Sequence, residues 1–330
     1  MIYLEGDRSD TYGFHRHGWA WVVDHIAANL HSDSASVSLF SFCEQKFLYG
    51  SRLGERLNDY EAPSKPWIGI FHLPPCVPQW YSSTHQLSRF LTEDIPRESL
   101  ANCVATISLS DYLANYMGKV VCPNIPSYSL LHPTPFDVSS FDRDQFFNDW
   151  RQSGKLRICQ LGFWLRKHHF IHRLISEGLN DVMPFQVGIN SVNQKNTFRR
   201  DLKINNVSVQ DKVFLTSKLS SSDYDRLLSS SLVLLPLYDT SANNSLIECI
   251  SRGTPILIEK HPATVQYLGA DYPLFFNSYQ QCLDILTSED LVYRVESACS
   301  YMSILRYQQA LHIDRFIDSM KDIISSFPLS

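Results

Sequence analysis

The fold of this chain is decided by residues 232–272, which read LVLLPLYDTSANNSLIECISRGTPILIEKHPATVQYLGADY. An apolar run ends at Pro236, and a loop of small polar residues follows it. Apolar residues then recur at the spacing of a short helix, and Gly253 stands where helices commonly end. Pro255 precedes a second apolar run. This order predicts strand, loop, helix and strand, which is one unit of a parallel sheet.

The same alternation of apolar runs and amphipathic stretches extends along the chain in both directions. Strands are predicted at residues 2–4, 37–42, 67–71, 104–108, 156–161, 184–187, 213–216, 232–237 and 256–258. Helices are predicted at residues 18–30, 110–117, 142–150, 168–177, 222–229, 245–252, 262–268 and from 288 onward. The expected fold class is α/β, with two Rossmann-like doubly wound domains that face each other across a cleft.

The domain boundary is expected after residues 122–135, where four prolines resist regular structure. We predict an N-terminal domain at 1–150 and a C-terminal domain at 151–330. The final helix, near residues 313–324, either packs back on the first domain or forms an interface. Ligands of doubly wound folds bind at the carboxyl ends of the strands, which places the expected site in the cleft.

Composition excludes several classes of protein. The chain has 330 residues, of which 44% are hydrophobic and 19% charged, as in a packed globular protein. A net charge of −5 argues against binding of duplex nucleic acid, which favours a basic surface. The eight cysteines include no C-x-x-C pair, so reduced thiols are expected. The polar N-terminus and the short apolar runs predict a cytoplasmic protein with at most peripheral membrane contact.

The loop at residues 239–245 places small hydrogen-bonding residues at the start of the predicted helix. Free backbone N–H groups and the helix dipole make such a start a site for a diphosphate. Glu248 lies about one turn further on, within reach of a ribose hydroxyl. The alternative is a capping box, in which Glu248 only reaches back to the N–H of Ser245.

The order of these parts resembles the donor-binding segment of retaining GT-B glycosyltransferases. The residues that match that segment are Pro236, Ser245, Leu246, Glu248, Gly253 and Pro255. In that family the helix start holds the donor phosphates and the glutamate holds the ribose. The resemblance therefore assigns the phosphates to Asn244 and Ser245, and the ribose to Glu248. Asn243, at the same helix start, is a further donor-binding candidate. It also implies retention of anomeric configuration.

One position departs from the family's pattern. The family has an acidic residue eight positions before the ribose glutamate, where it binds the donor sugar. This chain has Thr240 there, with Asp239 one residue earlier. The choice of donor and the presence of activity both depend on this position.

A second match with the family lies at residues 158–167, which read ICQLGFWLRK. The family places a basic pair after the first strand of its C-terminal domain, against the donor diphosphate. The resemblance assigns this role to Arg166 and Lys167, and fixed cations favour departure of a nucleoside diphosphate. The alternative is a solvated basic turn.

The acceptor side and the catalytic base are expected in the N-terminal domain, as in the GT-B family. His72 ends a hydrophobic strand, where an imidazole takes a proton near neutral pH. Asp7 ends the first strand and is a second catalytic candidate. The alternatives are a structural histidine bonded to a carbonyl and a turn-forming aspartate.

His15, His17 and Gly18 lie in a loop that we expect on the acceptor side. The H-x-H spacing lacks a carboxylate or cysteine nearby in sequence, and the chain has no Asp-x-Asp motif. No metal and no cofactor are therefore expected, and the nucleoside-diphosphate sugar is a co-substrate.

The resemblance implies a glycosyltransferase, either a hexosyl- or a pentosyltransferase, that moves a sugar from a nucleoside-diphosphate donor to a hydroxyl of a glycan or other acceptor. Two alternatives stay open. One is a nucleotide-sugar epimerase or hydrolase, which consumes the donor without an acceptor. The other is an inactive module that binds a nucleotide or a glycan.

Overall fold

The computed structural model of the protein describes residues 1–5, 18–49, 62–216 and 219–327. The chain divides into two compact units. The first consists of Met1–Pro135, Asp239–Asn243 and Gln309–Ser330, and the second of Phe136–Tyr238 and Asn244–Gln308. The main segment of the first unit thus ends at Pro135, ahead of the boundary at 150/151 expected from the sequence.

The first unit contains a parallel sheet whose strands lie side by side in chain order. The strands are β1 (Tyr3–Leu4), β2 (Ser38–Phe40), β3 (Trp67–Phe71), β4 (Cys103–Ser108) and β5 (Ser127–Ser129). The helices are α1 (Trp19–Leu30), α2 (Arg89–Thr92), α3 (Asp94–Ser99) and α4 (Asp111–Tyr116), with π-helical turns at Gln45–Tyr49 and Met117–Val121 and a 3-10 turn at Leu100–Asn102.

Strand β5 lies in the proline-rich stretch where the sequence predicted no regular structure. Pro126 precedes this strand, and its carbonyl accepts a hydrogen bond of 2.9 Å from the N–H of Thr106. A proline lacks the N–H group but keeps the acceptor, which is sufficient at the start of an edge strand. The prolines therefore limit the strand to the edge without preventing it.

The second unit contains a second parallel sheet, with the strand order β11-β10-β9-β6-β7-β8. Its strands are β6 (Leu156–Leu161), β7 (Val182–Val187), β8 (Phe214–Thr216), β9 (Leu232–Leu235), β10 (Ile256–Glu259) and β11 (Phe275–Phe276). The helices associated with it are α5 (Arg143–Ser153), α6 (His169–Ser176), α7 (Val192–Ile204), α8 (Ser221–Ser229), α9 (Asn244–Arg252), α10 (Pro262–Leu268), α11 (Tyr279–Leu286) and α12 (Leu291–Arg306).

These two parallel sheets with alternating helices confirm the predicted α/β class. In the second sheet the chain builds outward from β6 in both directions, so the strand order reverses between β6 and β9. Such a reversal leaves a crevice at the carboxyl ends of the two strands, where ligands of doubly wound folds bind. The topology thus predicts a ligand site at the loops after β6 and β9.

Helix α7 was not predicted, because its sequence is mostly polar. Phe198 and Leu202 are its only buried apolar residues, which is too few for a clear helical periodicity. Its start carries a capping box, in which Ser191 and Gln194 bond to each other's backbone. In the sequence, the start of this helix is thus indicated by its capping residues rather than by an apolar periodicity.

The last helix, α13 (Ile313–Ser325), belongs to the first unit and packs against α1. Its buried residues follow helical spacing and form one apolar stripe: Phe316, Ile317, Met320, Ile323 and Ile324. They join a core cluster that includes Ile2, Val22 and Ile70. Each such side chain stabilises the folded state by roughly 1.5–3 kcal/mol through burial.

Candidate functional site

Two glycines follow neighbouring strands at the carboxyl end of the second sheet. Gly162 comes directly after β6 and Gly188 directly after β7, with φ of 78° and 107°. A Cβ atom on Gly188 would lie 3.2 Å from the Cα atom of Gly162, so the two backbones pass at contact distance. Glycine suits both positions, because it adopts positive φ without a steric penalty. At this carboxyl end of the sheet, the two loops therefore present backbone atoms without side chains.

Arg166 lies against this edge, with its side chain buried. Its Nε donates to the carbonyl of Leu161 at 2.9 Å, and its Nη1 to the carbonyl of Trp164 at 2.8 Å. Its Nη2 donates to the hydroxyl of Ser245 at 3.2 Å. A Cβ atom on Gly162 would lie 3.2 Å from the same Nη2. The guanidinium group is thus held between the glycine backbone and the first turn of α9.

The loop that carries Arg166 is fixed to the loop after β9 by backbone hydrogen bonds. The N–H of Lys167 donates to the carbonyl of Pro236 at 3.1 Å, and the N–H of Tyr238 donates to the carbonyl of Leu165 at 2.9 Å. Leu165 is buried and has a φ of 56°. A left-handed conformation costs a non-glycine residue roughly 1–2 kcal/mol, and such strain persists where the surroundings enforce it.

Helix α9 begins at Asn244, which is exposed, and continues with Ser245, which is buried. The first N–H groups of a helix have no partner within the helix, and they carry the positive end of its dipole. Because Ser245 lies inside the helix, it does not hold the N-cap position that the capping box requires. Asn243, the preceding residue, is buried and belongs to the first unit.

Glu248 lies one turn into α9 and is buried. Its Oε2 accepts a hydrogen bond of 2.5 Å from the phenol of Tyr224 in α8. Tyr224 was not identified from the sequence, because it lies 24 residues from Glu248 with no local motif between them. The structure therefore holds the predicted ribose glutamate through a contact between two helices.

Lys167 differs from its neighbour Arg166. Its ammonium group lies 2.6 Å and 2.8 Å from the two carboxylate oxygens of Glu259, at the end of β10. Oε2 of Glu259 also accepts from the N–H of Leu237 at 3.0 Å. The positive charge of Lys167 is therefore compensated within the protein, whereas the three partners of Arg166 named above are neutral.

In the first unit, His72 follows β3 and is half-buried. Its Nε2 lies 3.0 Å from the carbonyl oxygen of Ser41, which also accepts from Nε1 of Trp19 at 2.8 Å. Since a carbonyl only accepts, Nε2 carries the proton of the neutral ring. Burial lowers the pKa of His72 to about 3. The ring thus has the carbonyl bond of the structural alternative, and only Nδ1 is left to take a proton.

Glu44 is a buried carboxyl group that the sequence did not single out. Its Oε1 accepts from the N–H of His72 at 2.7 Å and from the N–H of Leu73 at 2.6 Å. Oε2 has no hydrogen-bond partner within the part of the chain that the structure describes. Burial raises the pKa of Glu44 to about 7. The available signal in the sequence was a glutamate that directly follows Phe42 and Cys43 and precedes Phe47 and Leu48.

Residues Asp239–Asn243 belong to the first unit and are held there by polar contacts. Oδ2 of Asp239 accepts from the N–H of Cys76 at 2.6 Å, and its Oδ1 accepts from the N–H of Thr240 at 2.8 Å. The hydroxyl of Ser241 lies 3.2 Å from that of Ser110, the N-cap of α4. The carboxylate of Asp239 is therefore bonded to backbone N–H groups of the same unit.

Two further histidines take part in a buried polar network below the sheet edge. His168 contacts the amide of Gln186 through Nδ1 at 3.3 Å, and His169 contacts Asp201 through Nδ1 at 3.1 Å. Burial alone raises the pKa of Asp201, but hydrogen bonds from His169 and Tyr238 lower it below its usual range. The network fixes the start of α6 directly after Lys167.

The remaining predicted site residues are less informative. Asp7, His15 and His17 lie outside the described residues, and Gly18 is the residue before α1. Across the described ranges, no three His, Cys, Asp or Glu side chains come together as they would around a metal ion. Among the described helices, none combines the length and apolar character needed to cross a bilayer.

Comparison with known proteins gives matches in structure alone. No protein-family model matches the chain, and no curated protein sequence matches it. Sucrose-phosphate synthase from Thermosynechococcus elongatus matches with a TM-score of 0.65 at 11% identity, over 93% of this chain and 78% of that one. HepE from Anabaena, in complex with UDP and glucose, matches with a TM-score of 0.61 at 11% identity, over 79% and 72%.

A trehalose 6-phosphate synthase from Burkholderia multivorans also matches, with a TM-score of 0.52 at 11% identity, over 79% of this chain and 66% of that one. A second structure of HepE holds UDP-glucose and has a TM-score of 0.60 at 11% identity, over 79% and 72%. Identities this low establish the architecture rather than the reaction. The chain has the GT-B fold of nucleotide-sugar glycosyltransferases.

Proposed function

We propose that this protein is a glycosyltransferase that moves a sugar from a nucleoside-diphosphate donor to a hydroxyl of a glycan or another acceptor. One observation carries the proposal. Where the strand order of the second sheet reverses, bare glycine backbone, a buried guanidinium group and the first turn of α9 come together. Backbone at contact distance and the positive end of a helix are the features that receive a diphosphate.

The diphosphate is assigned to the start of α9, with Asn243, Asn244 and Ser245 as its neighbours and Arg166 as the principal cation. Developing negative charge on a departing nucleoside diphosphate is stabilised by fixed positive groups. Arg166 is fixed by three hydrogen bonds to neutral partners. Lys167 contributes less, because Glu259 already compensates its charge.

The ribose is assigned to Glu248, whose carboxylate lies one turn into the same helix. Structures of HepE hold UDP or UDP-glucose on the same fold, so uracil nucleotides are the first candidates for the donor. We expect transfer without a metal ion, with Arg166 and the helix start supplying the positive charge. All eight cysteines are free thiols, which is consistent with a cytoplasmic location.

On the acceptor side, the candidates for the catalytic base are His72 and Asp7, with His15, His17 and Gly18 in the adjoining loop. His72 is already neutral at every pH above its lowered pKa of about 3. If it is the base, kcat/KM has no step near pH 6.5, where an ordinary histidine titrates.

A second candidate function is a module that binds nucleotide without turnover. The position of the family's sugar-binding acid holds Thr240, and the nearest carboxylate, Asp239, is bonded to two backbone N–H groups. Thr240 does not supply the carboxylate with which the family binds the donor sugar. The proposed contacts with the diphosphate and the ribose do not involve Thr240 or Asp239.

The first test is thermal stabilisation of the purified protein by UDP, GDP, ADP and their glucose conjugates. A ligand at 100 times its dissociation constant stabilises a protein by about 2.7 kcal/mol. Wild type is compared with Glu248→Ala, and with Glu289→Ala as a control that removes an exposed carboxylate of the same unit. Stabilisation of wild type and of the control, but not of Glu248→Ala, supports the site. No stabilisation by any nucleotide overturns the proposal.

The second test separates the reactions that such a site performs. The protein is incubated with the best-binding sugar nucleotide, with and without a panel of oligosaccharides, in the presence of EDTA. Mass spectrometry then detects free nucleoside diphosphate and new glycosides. An acceptor-dependent product supports transfer, free sugar or an epimer without acceptor supports the hydrolase or epimerase, and binding without turnover supports the module.

A further inference from the structure

Helices α8 and α9 are joined by two polar contacts from adjacent residues. The phenol of Tyr224 donates to Oε2 of Glu248 at 2.5 Å. The carboxylate of Asp225 accepts from Nη2 of Arg252 at 2.7 Å. Glu248 and Arg252 are one helical turn apart, and the guanidinium of Arg252 also donates to the carbonyl of Glu248 at 3.1 Å. Helix α8 thus binds one face of α9 at two successive turns.

The hydrogen bond between Tyr224 and Glu248 is shielded from solvent. Glu248 is 5% exposed and Arg252 is 1% exposed. Burial, together with the neighbouring carboxylate of Glu248, raises the pKa of Tyr224 well above its usual range. The phenol therefore keeps its proton and acts as the donor of this hydrogen bond. A charge-assisted bond of this length restricts the torsions of the glutamate side chain.

We propose that Tyr224 is a positioning residue that orients Glu248 for the ribose hydroxyls and thereby sets the preference for ribonucleotides over dideoxyribonucleotides. This inference rests on the proposed function, because it concerns the same nucleotide site. One carboxylate oxygen is engaged by the phenol, so the direction in which the group presents its remaining lone pairs is fixed. Without the phenol, the side chain of Glu248 loses this constraint on its orientation.

The physical basis is the cost of an unpaired polar group. A site built to bond a hydroxyl rejects an analogue that lacks it, because the buried partner is then left unsatisfied. That penalty is large only when the partner has no other orientation available. Tyr224→Phe keeps the aromatic ring and removes the hydroxyl that bonds Oε2 of Glu248, so the penalty for a missing ribose hydroxyl decreases.

The experiment measures dissociation constants by calorimetry for UDP, GDP and ADP and for their 2′,3′-dideoxy counterparts. The proteins are wild type, Tyr224→Phe and Asp225→Asn, each as the full chain with its thermal stability recorded. Asp225→Asn is the matched control, because it weakens the adjacent contact between the same two helices without touching Glu248.

We expect wild type and Asp225→Asn to bind the ribonucleotide at least tenfold more tightly than its dideoxy counterpart. In Tyr224→Phe the ribonucleotide binds about tenfold more weakly, the dideoxy form binds nearly unchanged, and the ratio approaches one. Introducing Tyr224→Phe into Glu248→Ala should change neither constant further. A role limited to holding the helices together affects both ligands equally and leaves the ratio intact.

The outcomes distinguish failure of the role given to Tyr224 from failure of the proposed function. If wild type binds a ribonucleotide and Tyr224→Phe keeps the wild-type ratio, the inference is overturned and the proposed function stands. Equal loss of the ratio in Asp225→Asn also overturns it, because the effect then belongs to the helix contact. If wild type binds no nucleotide, the proposed function fails and the inference fails with it.

Discussion

The carboxyl ends of the two parallel sheets differ in the charged groups that lie beside the backbone. In the second unit, the edge consists of the backbone of Gly162 and Gly188, the guanidinium of Arg166 and the start of α9. In the first unit, N–H groups of the loop after β3 donate to side-chain carboxyl groups of the protein. Glu44 accepts from two of them and Asp239 from a third.

This difference shows that a parallel sheet alone does not make an anion site, because only the second sheet has the reversal of strand order and the positive groups beside it. Both sheets are parallel, and both bring loops to one edge. At the carboxyl end of the first sheet, two carboxyl groups of the protein, those of Glu44 and Asp239, accept the backbone N–H groups. At the carboxyl end of the second sheet, Glu259 pairs with Lys167, and Arg166 lies beside the start of α9, whose positive end attracts a negative ligand.

The largest expected effect is at the second edge, with Arg166→Met. The carbonyls of Leu161 and Trp164 and the hydroxyl of Ser245 lose their donor in a buried place. We expect the free energy of unfolding to decrease by about 3 kcal/mol, since each unsatisfied buried group costs about 1–3 kcal/mol. Urea unfolding measures it. A decrease below about 1 kcal/mol would show that the hydrogen bonds of the guanidinium contribute little to the stability of this part of the fold.

The next largest effect is expected for Gly162→Ala, and it concerns the affinity for nucleotide rather than stability. The new Cβ lies 3.2 Å from Nη2 of Arg166, whose bonds to carbonyls oppose any shift. We expect the affinity for the best nucleotide to decrease about 30-fold, which is about 2 kcal/mol. Gly154→Ala is the control, because its φ of 64° gives similar strain but its Cβ meets no atom within 4 Å. Equal losses in both variants would reduce the effect to backbone strain.

The third prediction concerns the first edge and its pH dependence. Burial raises the pKa of Glu44 from its ordinary 4.5 to about 7, so the folded protein keeps a proton that the unfolded chain releases. Its contribution to stability is therefore full below pH 4.5 and is lost as the pH rises to about 7. Glu44→Gln keeps an acceptor for the N–H groups of His72 and Leu73 but does not ionise.

Relative to wild type, Glu44→Gln should gain between about 2 and 3 kcal/mol of stability as the pH rises from 5 to 8. Urea unfolding at four pH values from 5 to 8 measures the difference. The difference isolates Glu44, because the lowered pKa values of His72 and His132, about 3 and about 4, act on both proteins alike. A difference that does not vary with pH would contradict the buried, protonated carboxyl group.

The smallest effect is expected for Lys167→Met. Its side chain is 21% exposed and paired with Glu259, and ion pairs that keep contact with water stabilise proteins by about 0–1 kcal/mol. We expect a loss of stability below about 1 kcal/mol and a change in nucleotide affinity of less than about threefold, or 0.7 kcal/mol. A loss of affinity as large as that of Gly162→Ala would show that Lys167 leaves Glu259 for the diphosphate.

Much of the fold was readable from local sequence. The strands β3, β6 and β9 and the helices α1, α9 and α10 were predicted within two residues of either end, because periodicity and turn residues are local properties. Helix α7 and strand β11 were missed, since one is mostly polar and the other has two residues. Their positions depend on the sheet they pack against, which a short window of sequence does not contain.

The sequence by itself determined which residues lie at the ends of strands and the starts of helices, among them Arg166, Lys167, His72 and Glu248. Only the tertiary structure decided the state of their charges. Lys167 meets Glu259 at a separation of 92 residues, and Glu248 meets Tyr224 at 24. The physical reason is that hydrogen bonding, ion pairing and desolvation depend on distance in space and on burial. Neither quantity is contained in the spacing of residues along the chain.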